Sequence, residues 1–259
     1  MKKLLLLLLI ICNISFASEN DDIIKSFFPK QVDVFGVKIL ALEKTPDKSI
    51  DKAKSILSQW LDNDNDGKPD NQLVVDSLVK NNCAMAMGKS IRKIDSILDK
   101  KLEKKGISKE QTEGMFALAS KEPNIAYLEE ILHLVTDCGY ANVYPEIFGE
   151  YKGTKIALAM DKARGGYFEK IPKRYPKGSW YTYDDRACDY SCMVTEYFYW
   201  ALTSLLGAQD YAGRFDEIGH EWKANTPALV QSMDPTVYAL LTDSTYHLPT
   251  VLPDGTYKR

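Results

Sequence analysis

The stretch Ala126–Tyr140 reads AYLEEILHLVTDCGY. Its spacing predicts a helix from about Ile125 to Asp137, with Gly139 in the C-cap region. On a helix, residues i and i+4 share a face. Glu129 and His133 can therefore reach one point from the same side, with Glu130 one position on. Two readings follow. Either the pair grips a metal ion, or both glutamates lie on a solvated face and His133 packs against the core. The chain has only three histidines, so the position of this one matters.

Working outward, MFALAS before this helix predicts a short strand, and Pro123 and Asn124 punctuate the turn between them. Further upstream, Val32–Pro46 is rich in β-branched and aromatic residues around Gly36 and reads as one or two strands. Asp47–Leu61 has helical spacing at Ile50, Ala53, Ile56, Leu57 and Trp60. A second helical stretch, NQLVVDSLVKN, follows a polar loop. CAMAMGKS suits a strand, and IRKIDSILDKKLEKKG an amphipathic helix stopped by Gly106. Residues 19 to 30 read as a loose leader. Downstream, Tyr140 to Ala187 is rich in Gly, Pro and Tyr and suggests long loops. CDYSCMVTEYFYWALTSLLGAQ is then the longest apolar helix after the N-terminus, and Asp216–Asp243 is helical in pieces. The pattern predicts an α+β fold richer in helix than strand. It has no repeat and no linker, so residues 18–259 form a single mature domain, with the candidate metal-site region at 113–207.

The five positions E-E-x-x-H resemble the H-E-x-x-H helix of zinc peptidases, with the first histidine exchanged. In the glutamate-ligand zincins, the gluzincins, the third ligand comes from a later helix, and Glu196 in MVTEYFYW occupies that place. A carboxylate in so apolar a helix needs a partner, because burying an unpaired charge is unfavourable. The resemblance implies Glu129, His133 and Glu196 as metal ligands and Glu130 as the base that activates a metal-bound water. It also implies a zincin-like fold, with MFALAS as the substrate-lining edge strand, and a peptide or protein substrate. It covers these two helices and that strand. One imidazole and two carboxylates suit zinc, but manganese and iron as well, and the added negative charge weakens the Lewis acidity of the ion.

Other constellations compete. FDEIGHEW contains Glu217 and His220, again spaced E-x-x-H. Ferritin-like di-metal bundles use two such pairs and two further glutamates. Glu130–His133, Glu196 and Glu217–His220 supply most of that set, and Glu113 is the candidate for the rest. His220 could instead join the Glu129/His133/Glu196 site. His247, near Pro249, reads as a surface loop residue. Tyr181, Tyr183, Tyr190, Tyr197 and Tyr199 crowd around Glu196, mostly as packing, with one a candidate oxyanion donor. A non-catalytic calcium-binding protein is the alternative from another class.

DNDNDGKPDN (Asp62–Asn71) is the most specific signal. Asp62, Asp64, Asp66 and Asp70 can point oxygens at one hard cation, and Gly67 permits the sharp turn. With helices on both flanks, residues 47–80 resemble an EF-hand unit, and the loop resembles other secreted D-x-D-x-D-G-x-x-D calcium loops. The departure is Leu73 where an EF-hand carries a bidentate glutamate; Asp70 and Asp76 are the candidates to compensate. A structural Ca²⁺ is the expected cofactor here, beside Zn²⁺ at the other site.

The chain of 259 residues is 45% hydrophobic and 27% charged, with a net charge of −3. That balance speaks against nucleic-acid binding, which calls for a concentrated basic surface; the lysine-rich Asp99–Gly106 reads as a solvated helix end. MKKLLLLLLIICNISFAS has the basic, apolar and small-residue order of a secretory signal, with cleavage expected after Ala17. Residues 1–17 are thus expected to be removed. That leaves an exported protein, periplasmic or secreted, with no membrane attachment. Four cysteines would remain, Cys83, Cys138, Cys188 and Cys192. In an oxidising compartment they suggest two disulfides, with Cys188–Cys192 local and Cys83–Cys138 the second.

Overall fold

The computed structural model describes residues 20–258; residues 1–17, expected from sequence to be a signal segment, lie outside them. Strands β1 (Lys30–Val34) and β2 (Val37–Ala41) form an antiparallel hairpin. Phe35 and Gly36 make its turn with φ of 52° and 93°. A two-residue turn with both φ positive matches the right-handed twist of the strands, and glycine supplies one of the two at no steric cost. β3 (Ala84–Gly88) and β4 (Met115–Ala119) then add in parallel, giving the order β1-β2-β3-β4. β4 is an edge strand.

Both parallel connections need crossovers, and the two run over opposite faces of the sheet. Helices α1 (Asp47–Leu61) and α2 (Gln72–Lys80) link β2 to β3. They pack with Val37, Ile39, Ala41, Met85, Met87 and Leu118 in the larger core. Helix α3 (Ile91–Ser96) continues as a π turn, Ile97–Lys101, and links β3 to β4. It covers the other face with Leu40, Ala84, Ala86 and Met115. β3 is therefore buried at every position, which is why its sequence is apolar throughout rather than alternating. Residues 20–27, read from sequence as a loose leader, are helical, and Ile23, Ile24 and Phe27 pack on that second face.

After β4 come α4 (Asn124–Val135), a π turn at Thr136–Tyr140, α5 (Lys155–Arg164), α6 (Tyr190–Leu205), α7 (Pro227–Met233) and α8 (Pro235–Leu241). The result is α+β and helix-rich, as the periodicity predicts. α5 is a departure, since its segment reads as loop. Its apolar face is built largely of Ala157, Ala159 and Ala163, a weak signal between Gly153 and Gly165. α6 is the longest helix among those described and buries Met193, Val194, Tyr197, Phe198, Tyr199 and Trp200. Each large apolar side chain removed from water contributes roughly 1.5–3 kcal/mol. That gain holds the helix against the core and leaves Glu196 only partly exposed.

The cysteines pair as expected. Cys83 joins Cys138 (Cα–Cα 6.4 Å) and Cys188 joins Cys192 (5.4 Å). The first bridge fixes the start of β3 to the π turn that extends α4. It closes a long loop, the partners standing 55 positions apart in sequence, for which chain entropy suggests about 4 kcal/mol. No helix among the described residues is long and apolar enough to cross a membrane.

Candidate metal centre

Helix α4 lies against both β4 and α1 and turns its remaining face toward α6. On that face stand Glu129 and His133, one turn apart. Glu196 meets them from α6, and one ligand atom from each of the three lies within 4.8 Å of the others. His133 Nε2 is 3.6 Å from Glu196 Oε1, too far for a hydrogen bond. Two donors each about 2.0–2.1 Å from a shared tetrahedral ion lie roughly 3.4 Å apart, so the spacing is close to that of co-ligands.

Burial governs the electrostatics. It lowers His133 to about 4, so the imidazole is neutral at pH 7, the form that binds metal, and its contact with Glu196 is not an ion pair. His133 Nδ1 is buried without a hydrogen-bond partner. Burial also raises Glu129 to about 7, Glu130 to about 7 and Glu196 to about 8. Two of these carboxylates feel others of the three: Glu129 raises Glu130, and both raise Glu196. Glu221 adds to the charge on Glu129 and Glu196. One cation acts against this on Glu129, Arg214. Several carboxylates drawn out of water around a neutral imidazole are an unfavourable arrangement that a divalent ion would reverse.

The aromatic surround divides into holders of the core and holders of the site. Tyr181 donates to the Met193 carbonyl, Tyr190 to Asp161 and Tyr197 to Asp234, so these three brace α6. Tyr183 instead donates to Glu196 Oε1 at 3.2 Å. Tyr199 acts against the raised pKa of Glu129 and sets its ring edge-on to His133, centroids 5.6 Å apart. Tyr199 lies three residues after Glu196 on one helix, a spacing that could have marked it from sequence. Glu221 and Gln209 come from turns, and Arg214 opens a short helix, Arg214–Ile218, with no such signal.

The second E-x-x-H pair does not form a unit. Glu217 is bonded to Arg214 at 2.9 Å, while His220 groups with Asp184 and Glu221. Glu113 is exposed and neighbours Asp137 rather than the three ligand candidates. His247 is exposed in a loop, as expected.

At the aspartate loop, Asp62, Asp64 and Asp66 converge, again with ligand atoms within 4.8 Å. Asp62 is fully buried. Its carboxylate accepts from the Asp66 and Gly67 N–H groups at 3.0 and 2.9 Å and from the Tyr257 hydroxyl. Gly67 has φ of 90°, which explains the glycine. Asp70 stands beside this group and accepts from the Asn63 N–H at 2.7 Å. Burial, then the charge of the other three aspartates, raises its pKa. Leu73 is exposed, and Asp76 accepts from Gln72.

Compared with known proteins, the chain matches no family model, no curated protein and no solved structure.

Proposed function

We propose that the protein is an exported, calcium-stabilised, zincin-like metallopeptidase. Glu129, His133 and Glu196 hold one transition-metal ion, with zinc the first candidate, and Glu130 activates the attacking water. The observation that supports this most is the meeting of a buried neutral imidazole with two partly buried carboxylates at ligand spacing. Ordinary packing gives no reason to place those groups together, since each loses hydration there and gains no counter-charge from the others. β4 ends the sheet and leads into α4, a place that suits an extended peptide laid down as an added strand. Asp62, Asp64, Asp66 and Asp70 hold a structural calcium ion in an EF-hand-like helix–loop–helix.

The test is metal content of the purified mature protein beside His133→Ala, by mass spectrometry. The expected result is one transition metal in the wild type and none in the variant. Glu130→Gln then keeps the metal and loses peptide hydrolysis. Calcium alone in both proteins would overturn the reading and leave a non-catalytic calcium-binding protein. That second reading has one specific observation in its favour, the carboxylate at position 129 where a hydrolytic zinc site ordinarily carries an imidazole.

A further inference from the structure

A second imidazole meets two carboxylates outside α4 and α6. Asp184, His220 and Glu221 each offer one donor atom, and the three atoms lie within 4.8 Å of one another. His220 Nε2 is 3.7 Å from Glu221 Oε1, too far for a hydrogen bond and near the roughly 3.4 Å between co-ligands on a tetrahedral ion. The backbone fixes where these side chains start. The Thr182 N–H donates to the Glu221 carbonyl at 2.6 Å, and the Lys223 N–H to the Trp180 carbonyl at 3.0 Å. Between these bonds Tyr181 pairs with Trp222 in antiparallel fashion, and both rings are fully buried. The Thr182 hydroxyl donates to the His220 carbonyl at 2.5 Å. The N–H groups of Gly219, Glu221 and Trp222 each close a turn at 2.8 Å. Gly219 admits that tight path, since an added Cβ would lie 2.7 Å from the Phe215 carbonyl oxygen. On the other side, Tyr183 precedes Asp184 and is tied at both ends. Its hydroxyl donates to Glu196, and its carbonyl accepts from the Tyr175 hydroxyl at 2.6 Å.

The charges in this group are not balanced. The Glu221 side chain is only 19% exposed, yet among the described residues no lysine or arginine forms an ion pair with it or with Asp184. We propose that Asp184, His220 and Glu221 bind a first-row divalent transition ion at a second, exchangeable site. The imidazole selects such an ion over Ca²⁺ and Mg²⁺, which take oxygen ligands. The His220 side chain is 61% exposed and Asp184 is exposed, so water reaches the ion and completes its coordination. Such a site gives up its ion on dialysis and adds nothing to the metal counted in the purified protein. The proposal is independent of the site between α4 and α6.

The test is protection of His220 from diethyl pyrocarbonate by Zn²⁺, followed by mass spectrometry on the full-length mature protein at saturating calcium. The reagent acylates an imidazole nitrogen whose lone pair is free, and a bound ion occupies that lone pair. The readout is local: His133 is buried, and His247, exposed and outside the group, is the internal control. The expected result is that Zn²⁺ protects His220 at concentrations that leave His247 reactive. Partners behind a ligand are already worth about 10- to 100-fold in metal affinity. Removing a ligand charge, in Asp184→Asn or Glu221→Gln, should therefore raise the half-protecting concentration at least about tenfold, with unchanged far-ultraviolet circular dichroism. Equal reactivity of His220 with and without Zn²⁺ would overturn the proposal. Half-protection within about twofold of wild type in both variants would overturn it too, because the zinc would then sit on a lone imidazole. Should Glu221→Gln fail to fold, Asp184→Asn decides alone, since Asp184 is exposed. The metal content of His133→Ala is a separate measurement, so failure of this site and failure of the site between α4 and α6 are told apart.

Discussion

Glu150 gives a sharp test of the electrostatics along α4 and α6, independent of any metal. Its carboxylate accepts from Thr195 Oγ1 at 2.5 Å, and burial, then the nearby Asp137, raises its pKa from 4.5 to about 8. Below about pH 4.5 the carboxyl is protonated in the folded and unfolded chains alike and has no effect on the balance. Between about 4.5 and 8 the unfolded chain gives up a proton that the folded chain keeps, so stability falls as pH rises. The slope is at most about 1.4 kcal/mol per pH unit, which sets a ceiling near 5 kcal/mol by pH 8. Glu150→Gln keeps an acceptor for Thr195 and removes the charge; its extra N–H group, if unpaired, costs about 1–3 kcal/mol at every pH. The variant should therefore be close to wild type or slightly weaker at pH 5, and more stable at pH 8, a swing of about 3 kcal/mol. Urea unfolding at the two pH values, disulfides intact and calcium fixed, measures it. A swing under about 1 kcal/mol, or one of opposite sign, would refute the reasoning.

Two further outcomes follow from the geometry. Asp64 accepts from the Asp66 N–H at 3.0 Å, and Asp64→Asn keeps an acceptor there, so it removes a ligand charge with little other disturbance. Calcium at about 100 times its dissociation constant should raise wild-type stability by about 2.7 kcal/mol. The same calcium concentration should raise that of Asp64→Asn much less, as thermal unfolding with and without a calcium chelator will show. Gly114 sits against the Cys83–Cys138 bridge, where an added Cβ would lie 2.8 Å from Cys83 Sγ and 3.3 Å from Cys138 Sγ. Gly114→Ala should lose about 1–3 kcal/mol by overpacking, and equal denaturation midpoints would show that the neighbouring chain yields freely.

The parts of the fold legible in the sequence are those whose signal is local. Gly36 marks the hairpin because only a turn with positive φ joins those strands so tightly. The apolar density of α6 reports its burial directly, and Glu196 stands out against it. The pairing of Cys188 with Cys192 follows from their closeness along the chain. What was hidden depends on long-range contact. α4 does not end at a glycine cap; it continues through the π turn, with Gly139 pressed so close to α2 that an added Cβ would lie 2.7 Å from Val74 Cγ1. There the missing side chain serves packing, and nothing local distinguishes the two uses of glycine. Arg214 looks like an ordinary cation beside Glu217, and only folding brings its charge to bear on Glu129. Glu150 sits in a stretch of low periodicity, and only folding shows that its partner is Thr195.

The aspartate loop and the metal-site candidates share a scaffold, and this affects how either is measured. Asn71 ends the loop and caps α2 by accepting from the Val74 N–H. Its amide donates to the Tyr144 hydroxyl and to the Tyr246 carbonyl, both at 3.0 Å. Tyr144 and Tyr246 pack edge-on to Phe148, which packs on Phe198 at 5.5 Å, two residues along α6 from Glu196. On the loop's other side, Asn63 and Asp62 bind the C-terminal segment through Thr250, Val251 and Tyr257. Loosening the loop releases the C-terminal segment and slackens the aromatic contacts that set α6 against α4. Aromatic pairs contribute about 0.5–1.5 kcal/mol each, enough in sum to shift Glu196 relative to His133. A chelator strong enough to strip calcium would then lower transition-metal affinity with every ligand intact. The metal measurements on His133→Ala therefore belong at saturating calcium, where a lost ion reports the ligand and not the loop.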